Sequence, residues 1–201
     1  MVLLDEQKVA FETVVQAVRK ARAANTRTVV VVLGGPGSGK SAIVLNMVGE
    51  LVRIGRAVHH ATGSGAFTRT LRKLAGSRNT RAQGLFKYFN NYVESESREL
   101  DVLLCDGVHR ILETSVNRFT KKEVRAQAGR QINELIDVAS VAVFLLDEHQ
   151  IVRPGEMGSL EETTTAAKAQ GCAVEVVRLA GQFRCGRLRS IRRVGLEDSR
   201  A

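Results

Sequence analysis

The segment 29–54 constrains the fold of this chain more than any other part of its 201 residues. Residues 29–33 form an unbroken apolar, largely β-branched run, which is typical of a strand covered on both faces. A glycine-rich turn follows, and the apolar positions of 41–54 recur at helical spacing until Gly55 ends the pattern. Strands covered on both faces occur in parallel sheets flanked by helices, so this segment favours an α/β fold.

The same alternation continues along the chain. Four further apolar runs predict strands, at 57–62, 102–105, 141–146 and 174–179. Helical spacing of apolar residues predicts four more helices, at 4–23, 66–75, 124–136 and 159–170. Residues 76–99 are polar without a clear period, and 113–122 reads as a charged loop. Five strands alternating with helices predict a mostly parallel sheet with helices on both faces.

Composition limits the class of protein. The chain is 44% hydrophobic, and its length suffices for one domain with its own core. No apolar run approaches the ~18 residues of a membrane span, and no secretory signal is visible, so no membrane partner is expected. Three separated cysteines without a C-x-x-C spacing argue against a disulfide scaffold and predict a reducing cytoplasm. The net charge of +9 suits a polyanionic partner, or a soluble protein with a basic tail.

The glycine-rich turn fits the pattern G-x-x-x-x-G-K-[ST] between a strand and a helix. Its members are Gly34, Gly35, Pro36, Gly37, Ser38, Gly39, Lys40 and Ser41. Glycines let backbone N–H groups turn inward around phosphate oxygens, and the N-terminus of the following helix adds favourable partial charge. In such a loop Lys40 reaches the β- and γ-phosphates, and the Ser41 hydroxyl binds Mg²⁺. The turn therefore predicts a nucleoside-triphosphate site.

A magnesium ion at such a site also needs a carboxylate at the end of another core strand. Asp106 and Asp147 each follow an apolar run, which places both at the carboxyl edge of the predicted sheet, where ligands bind. Burying either carboxylate without a metal or a partner is costly. The residues alone leave both aspartates as candidates.

Two adjacent histidines, His59 and His60, fall within the second predicted strand. Neighbouring strand residues point to opposite faces of a sheet, so the two imidazoles cannot share one metal ion. We expect both to have structural roles with satisfied hydrogen bonds.

Five segments together resemble the bacterial proteins of the Schlafen group 3-like DNA/RNA helicase domain family. They are the phosphate loop 34–41, the run 59–67, and the segments 103–110, 144–150 and 179–185. The resemblance covers roughly 1–185 and implies a RecA-like ATP-binding domain of the superfamily 1 helicase type. It leaves 186–201 as a basic tail, which we expect to be disordered.

The resemblance implies roles for four further residues. Asp106 resembles the motif II aspartate that holds Mg²⁺, directly or through water. Gln150 and Arg184 resemble the glutamine and arginine that contact the γ-phosphate. Gln7 resembles the N-terminal glutamine that reads adenine, although an edge position on an ordinary helix explains it equally well.

One position departs from the family pattern. Where the family has Asp-Glu-Ala-His, this chain reads Asp-Gly-Val-His, so Gly107 stands in place of the glutamate that activates the attacking water. Loss of a positioned base typically removes about 10²–10⁴-fold of the rate, whereas metal and nucleotide binding need not be lost. Glu148 is a hypothetical substitute. The pattern predicts ATP binding more firmly than ATP turnover.

The family also implies a site for single-stranded DNA or RNA. There Phe67 would stack on a base, and Arg69, Arg72 and Lys73 would contact phosphates. A core position for Phe67 is the simpler interpretation. Helicases of this class close over ATP with a second RecA-like domain, for which 186–201 is too short. A nucleotide-dependent binding module without catalysis and a truncated relic of a longer protein therefore remain alternatives to an ATPase.

Overall fold

A computed structural model describes residues 5–76, 79–116, 120–147 and 158–179. Seven α-helices lie in these ranges: α1 Asp5–Ala24, α2 Lys40–Arg53, α3 Gly65–Leu74, α4 Thr80–Gly84, α5 Lys122–Gln127, α6 Gln131–Asp137 and α7 Leu160–Ala169. Six strands alternate with them: β1 Thr28–Gly34, β2 Val58–Thr62, β3 Phe86–Tyr88, β4 Leu100–Asp106, β5 Ala139–Leu146 and β6 Ala173–Leu179. Two short 3₁₀ turns follow β3 and β4, at Phe89–Tyr92 and Val108–Arg110.

The six strands form one parallel sheet in the order β3-β2-β4-β5-β1-β6. All seven residues of β1 are buried, as expected for a strand with neighbours on both sides and helices on both faces. The carboxyl ends of β1, β4 and β5 therefore meet at one edge of the sheet. This arrangement confirms the predicted α/β fold.

Each face of the sheet has its own apolar core. Alternate residues of β1 point to opposite faces, so Val30 packs with α1 and α2 while Val31 packs with α6 and α7. The phosphate loop leaves β1 at the edge and enters α2, which is held on its face by Val44 and Met47. Packing of α2 thereby sets where the loop lies. Within the described ranges, no helix is long and apolar enough to cross a membrane.

The single helix predicted over 124–136 is wrong. The segment forms two short helices, α5 and α6, separated by extended backbone at Ala128 and Arg130. Arg130 pairs with Thr114 in an isolated β-bridge, and the Gly129 N–H donates to Glu134. Helical spacing of the apolar residues continues across the break, but the glycine and the pairing with a distant segment interrupt the helix.

The sequence prediction also missed a strand. β3 has only three residues, lies at the edge of the sheet and pairs with β2 alone. Its neighbours 76–99 are polar, so no apolar run marked it. The Arg72 guanidinium donates two hydrogen bonds to the Phe86 carbonyl, 2.9 and 2.6 Å long, and lies 5.1 Å from the centre of the Tyr88 ring. These contacts from α3 stabilise a strand that is too short to be recognised from its sequence pattern.

Candidate nucleotide-binding site

The loop between β1 and α2 has the backbone that a phosphate cradle requires. Gly37 and Gly39 have φ values of 80° and 83°, in the left-handed region that only glycine enters without cost. Gly34 is needed for space, because a Cβ there would lie 2.7 Å from Ser38 Oγ. Ser38 itself is buried. Glycine is therefore required at Gly37 and Gly39 for the backbone conformation, and at Gly34 for space.

Lys40 folds back over the loop. Its Nζ donates to the carbonyl oxygens of Gly34 and Gly35, at 2.5 and 2.9 Å, and lies 3.8 Å from Asp147 Oδ2. The loop and Asp147 line a cavity of about 370 Å³. The lysine charge is thus held at the mouth of a cavity bordered by backbone N–H groups, where an anionic ligand can compete with the carbonyls for it.

Asp106 and Ser41 meet across the sheet edge. Asp106 ends β4, Ser41 lies in the first turn of α2, and the Ser41 hydroxyl donates to Asp106 Oδ2 at 2.8 Å. Burial by itself raises the pKa of the Asp106 carboxyl, but the His60 ring, the Ser41 hydroxyl and the Gly107 N–H stabilise the carboxylate and bring its pKa below the usual range. A buried carboxylate is therefore kept charged beside a hydroxyl oxygen.

These two oxygens suit a hard divalent cation. Mg²⁺ prefers oxygen ligands and is usually bound by one or two protein groups together with substrate phosphates and water. A hydroxyl and a charged carboxylate within hydrogen-bond distance of each other, beside a phosphate cradle, match that requirement. The residues present thus fit Mg²⁺ bound together with a nucleotide.

The structure separates the two candidate aspartates. Asp106 contacts Ser41, whereas Asp147, which follows β5, lies beside the lysine ammonium. The aspartate next to the predicted metal ligand is thus Asp106, and Asp147 instead balances the Lys40 charge. Asp147 has a further interaction besides this ion pair.

The prediction of satisfied hydrogen bonds is wrong for His60. Its imidazole is 1% exposed, and neither ring nitrogen has a hydrogen-bond partner among the described residues, so the expected satisfied structural role is not what the structure has. Nε2 lies 3.9 Å from Asp106 Oδ2. The sequence carries no signal for this proximity, because it depends on the pairing of β2 with β4, in which Thr62 lies opposite Asp106 and shares a face with His60.

Gly107 adopts a left-handed backbone conformation that disfavours any L-residue, including glutamate. It has φ 71° and ψ 46° and precedes the 3₁₀ turn that follows β4. A Cβ there would find space, with His109 Cε1 and Thr62 Oγ1 both 3.6 Å away, but an L-residue in this conformation is strained. The turn after motif II is therefore built around glycine in this chain.

Several predicted site residues lie outside the described part of the chain. Glu148, Gln150 and Arg184 fall in the undescribed ranges. Gln7 belongs to α1, but only its backbone is described.

The residues predicted to contact nucleic acid have different surroundings in the structure. Arg72 donates to the Phe86 carbonyl and lies over the Tyr88 ring, which favours a structural role for it over a phosphate contact. Phe67 is half-buried with its ring centre 6.0 Å from that of His60, in an edge-to-face arrangement, which favours the core interpretation. Arg69 and Lys73 are exposed.

A parallel sheet whose glycine loop leads into a helix, with the helix serine bonded to a carboxylate at the end of another strand, defines a P-loop NTPase domain. The sequence model described as Schlafen group 3, DNA/RNA helicase domain, matches residues 27–193, and the chain belongs to this family. No curated protein matches the chain significantly.

Solved structures show a more distant likeness. Aquifex aeolicus DnaA with bound AMPPCP aligns with 14% identity and a TM-score of 0.44 over 88% of this chain and 48% of its own. A DNA replication initiation factor aligns with 14% identity and a TM-score of 0.44, over 88% of this chain and 47% of its own. Flagellar accessory protein FlaH from Methanocaldococcus jannaschii aligns with 11% identity and a TM-score of 0.43, over 75% and 70%. The chain thus spans about half the length of the first two.

Proposed function

We propose that this domain binds ATP together with Mg²⁺ at the carboxyl edge of its sheet and hydrolyses it slowly. The observation that carries the proposal is the 2.8 Å hydrogen bond between Ser41 Oγ and Asp106 Oδ2, directly beside a glycine loop that ends in Lys40. The phosphate cradle, the lysine cation and the Ser41 hydroxyl come from the segment 34–41, and Asp106 is brought to them from the end of β4.

Each group has a distinct role in this proposal. The backbone N–H groups of 34–41 surround the phosphates, and Lys40 leaves the loop carbonyls to neutralise phosphate charge. Ser41 and Asp106 are the residues that would hold Mg²⁺. When bound, the ion neutralises charge that develops on the phosphate oxygens. Asp147 keeps the lysine near the cavity through its carboxylate.

Hydrolysis of the bound ATP is proposed to be slow. Gly107 supplies no carboxylate to orient and deprotonate the attacking water, so the rate falls by about 10²–10⁴-fold relative to a site with a positioned base. Gln150 and Arg184 are proposed as γ-phosphate contacts, and Gln7 as the adenine contact, on the family resemblance. Glu148 remains the proposed substitute base.

A second proposed function is binding of single-stranded nucleic acid beside the nucleotide site. Residues 51–93 contain eight Lys and Arg and no Asp or Glu. A cavity of about 330 Å³ adjoins this segment, lined in part by Thr62, Tyr88 and Arg110. A segment with an excess of Lys and Arg favours phosphate contacts, because each phosphate that is neutralised releases counterions. The helicase family description supports the same partner class.

Calorimetric titration with a non-hydrolysable ATP analogue tests the main proposal. We expect binding that depends on Mg²⁺ in the wild-type chain and none in Lys40→Ala. Lys168→Ala is the matched control, because Lys168 is exposed on α7. Equal binding by wild type and Lys40→Ala, or none by a wild-type chain that melts cooperatively, would contradict the proposal.

A phosphate-release assay with the same protein tests turnover. We expect slow release of phosphate that is lost in Asp106→Asn. If Glu148 acts as the base, Glu148→Gln also abolishes release while leaving analogue binding intact. Release that is unchanged in Glu148→Gln removes Glu148 from the proposal. Absence of any release would leave the domain as a nucleotide-dependent binding module.

A further inference from the structure

His60 is a fully buried imidazole without a hydrogen-bond partner. Its side chain is 1% exposed, and both Nδ1 and Nε2 lack a partner among the described residues. A neutral imidazole has one N–H donor and one acceptor nitrogen, and burying such groups unpaired costs folding free energy. Since a buried, unpaired imidazole lowers stability, His60 does not serve the stability of the strand, and we look for a role in the neighbouring site.

The strand register directs this imidazole toward the proposed metal ligands. β2 pairs with β4 so that His60 lies opposite Leu104 and Thr62 opposite Asp106. Because strand residues two apart share a face, His60 and Asp106 are diagonal neighbours on one face of the sheet. Leu104 packs in the same apolar core as α2, the helix that carries Ser41.

The geometry around Asp106 brings His60 and Ser41 to the same oxygen. Oδ2 accepts from the Ser41 hydroxyl at 2.8 Å and lies 3.9 Å from His60 Nε2. A closure of about 1 Å brings the imidazole within hydrogen-bond distance. The remaining described ring contacts are aromatic, with Phe67 and Phe86 approaching edge-on at centroid distances of 6.0 and 5.7 Å.

We propose that His60 is a positioning residue for Asp106, whose Nε2–H donates to the carboxylate and holds it in the orientation that binds Mg²⁺. This inference rests on the proposed function and extends it to a residue that does not itself touch the ion or the nucleotide. A donor behind a metal-binding carboxylate fixes its rotation, and loss of such a partner typically lowers metal affinity about 10–100-fold. The two aromatic edges limit where the imidazole can turn.

The test measures metal affinity directly. Mn²⁺, which reports its own binding by electron paramagnetic resonance, is titrated into the protein with a non-hydrolysable ATP analogue. His60→Leu removes the donor, while His60→Gln keeps an N–H near the position of Nε2. We expect His60→Leu to bind Mn²⁺ about 10-fold more weakly or worse, and His60→Gln to recover most of the affinity.

A merely structural histidine gives a different pattern. His60→Leu would then change the melting temperature without changing Mn²⁺ affinity, and His60→Gln would rescue nothing. His59→Leu, on the opposite face of β2, is the control for a changed strand and should leave Mn²⁺ affinity at the wild-type value. Wild-type Mn²⁺ affinity in His60→Leu, or equal losses in the Leu and Gln variants, overturns the proposal.

The failure of this inference and that of the proposed function are distinguishable. If the wild-type chain binds no analogue, the nucleotide site fails, and the role of His60 fails with it. If the wild type binds analogue and Mn²⁺ but His60→Leu matches it, only the assignment of His60 is wrong.

Discussion

Two basic regions of this chain use their charge differently. At the phosphate loop, Lys40 is held by the Gly34 and Gly35 carbonyls and by Asp147. The segment 51–93, which includes β2 and β3, carries eight Lys and Arg and no Asp or Glu. The first region concentrates one positive charge in a cavity, which suits a compact phosphate ligand. The second spreads many charges over a surface, which suits a chain of phosphates.

The arginines of the segment 51–93 also differ among themselves. Arg72 is fixed by the Phe86 carbonyl and the Tyr88 ring, whereas Arg69 on the same helix is exposed. Residue type and spacing do not distinguish the two. A basic side chain near a ligand edge can therefore belong to the fold or to the partner, and only its contacts decide which.

The largest change in stability is expected for a substitution that adds a Cβ to the phosphate loop. We expect Gly34→Ala to lower the free energy of unfolding by about 1–3 kcal/mol, because overpacking forces neighbours to move. The new Cβ would meet Ser38 Oγ at 2.7 Å and Leu179 Cβ at 3.2 Å. Urea denaturation measures the change.

Gly49→Ala is the matched control for this loop substitution. Gly49 lies within α2, and a Cβ there meets nothing within 4 Å. Alanine favours a helix over glycine, so this variant should be more stable by about 0.5–1 kcal/mol. If both variants were equally stable, the loop would be looser than its geometry indicates.

The next largest effect separates the two arginines. Arg72→Ala should lower the free energy of unfolding by about 2 kcal/mol, since charged donors to a carbonyl are lost and β3 loses its support. Arg69→Ala should leave stability unchanged and weaken binding of a single-stranded oligonucleotide. Thermal melts and fluorescence anisotropy of a labelled oligonucleotide measure the two. Equal stability losses would mean that the comparison between these residues is wrong.

A smaller effect concerns the turn after β4. Gly107→Glu places an L-residue at φ 71°, which should cost about 1–2 kcal/mol of unfolding free energy. Gly107→Asn should cost less, because asparagine tolerates the left-handed region. Denaturation of both variants, with phosphate release measured on the glutamate variant, tests the idea. Wild-type stability in both variants would show that the turn does not depend on glycine, and faster phosphate release by Gly107→Glu than by the wild type would support a base at this position.

The smallest expected effect is a modest loss of oligonucleotide affinity that leaves ATP-analogue binding unchanged. Lys73→Ala should weaken oligonucleotide binding modestly and reduce the slope of log affinity against log salt by about 0.7 for a single strand. ATP-analogue affinity should stay at the wild-type value, because Lys73 lies on α3 and not on the loop. A salt titration by anisotropy provides the slope, with Lys168→Ala as the control. An unchanged slope would remove Lys73 from the proposed surface.

Features with local sequence signals could be predicted from the amino-acid sequence. The buried run of β1, the glycine loop and the helix α2 follow from consecutive residues, and their bounds in the structure differ from the prediction by a residue or so. The same holds for α7, whose capping box at Ser159 and Glu162 marks its start. Alternation of such units was sufficient to predict the parallel sheet.

Tertiary structure alone decided which side chains meet. Asp106 and Asp147 look alike in sequence, yet the Ser41 hydroxyl, 65 positions earlier in the chain, donates to Asp106, and Asp147 pairs with Lys40. β3, the break at Ala128 and the unpartnered His60 likewise depend on residues brought together by strand order. The physical reason is that local backbone preference extends over a few residues, whereas strand register and helix packing set distances between segments far apart in the chain.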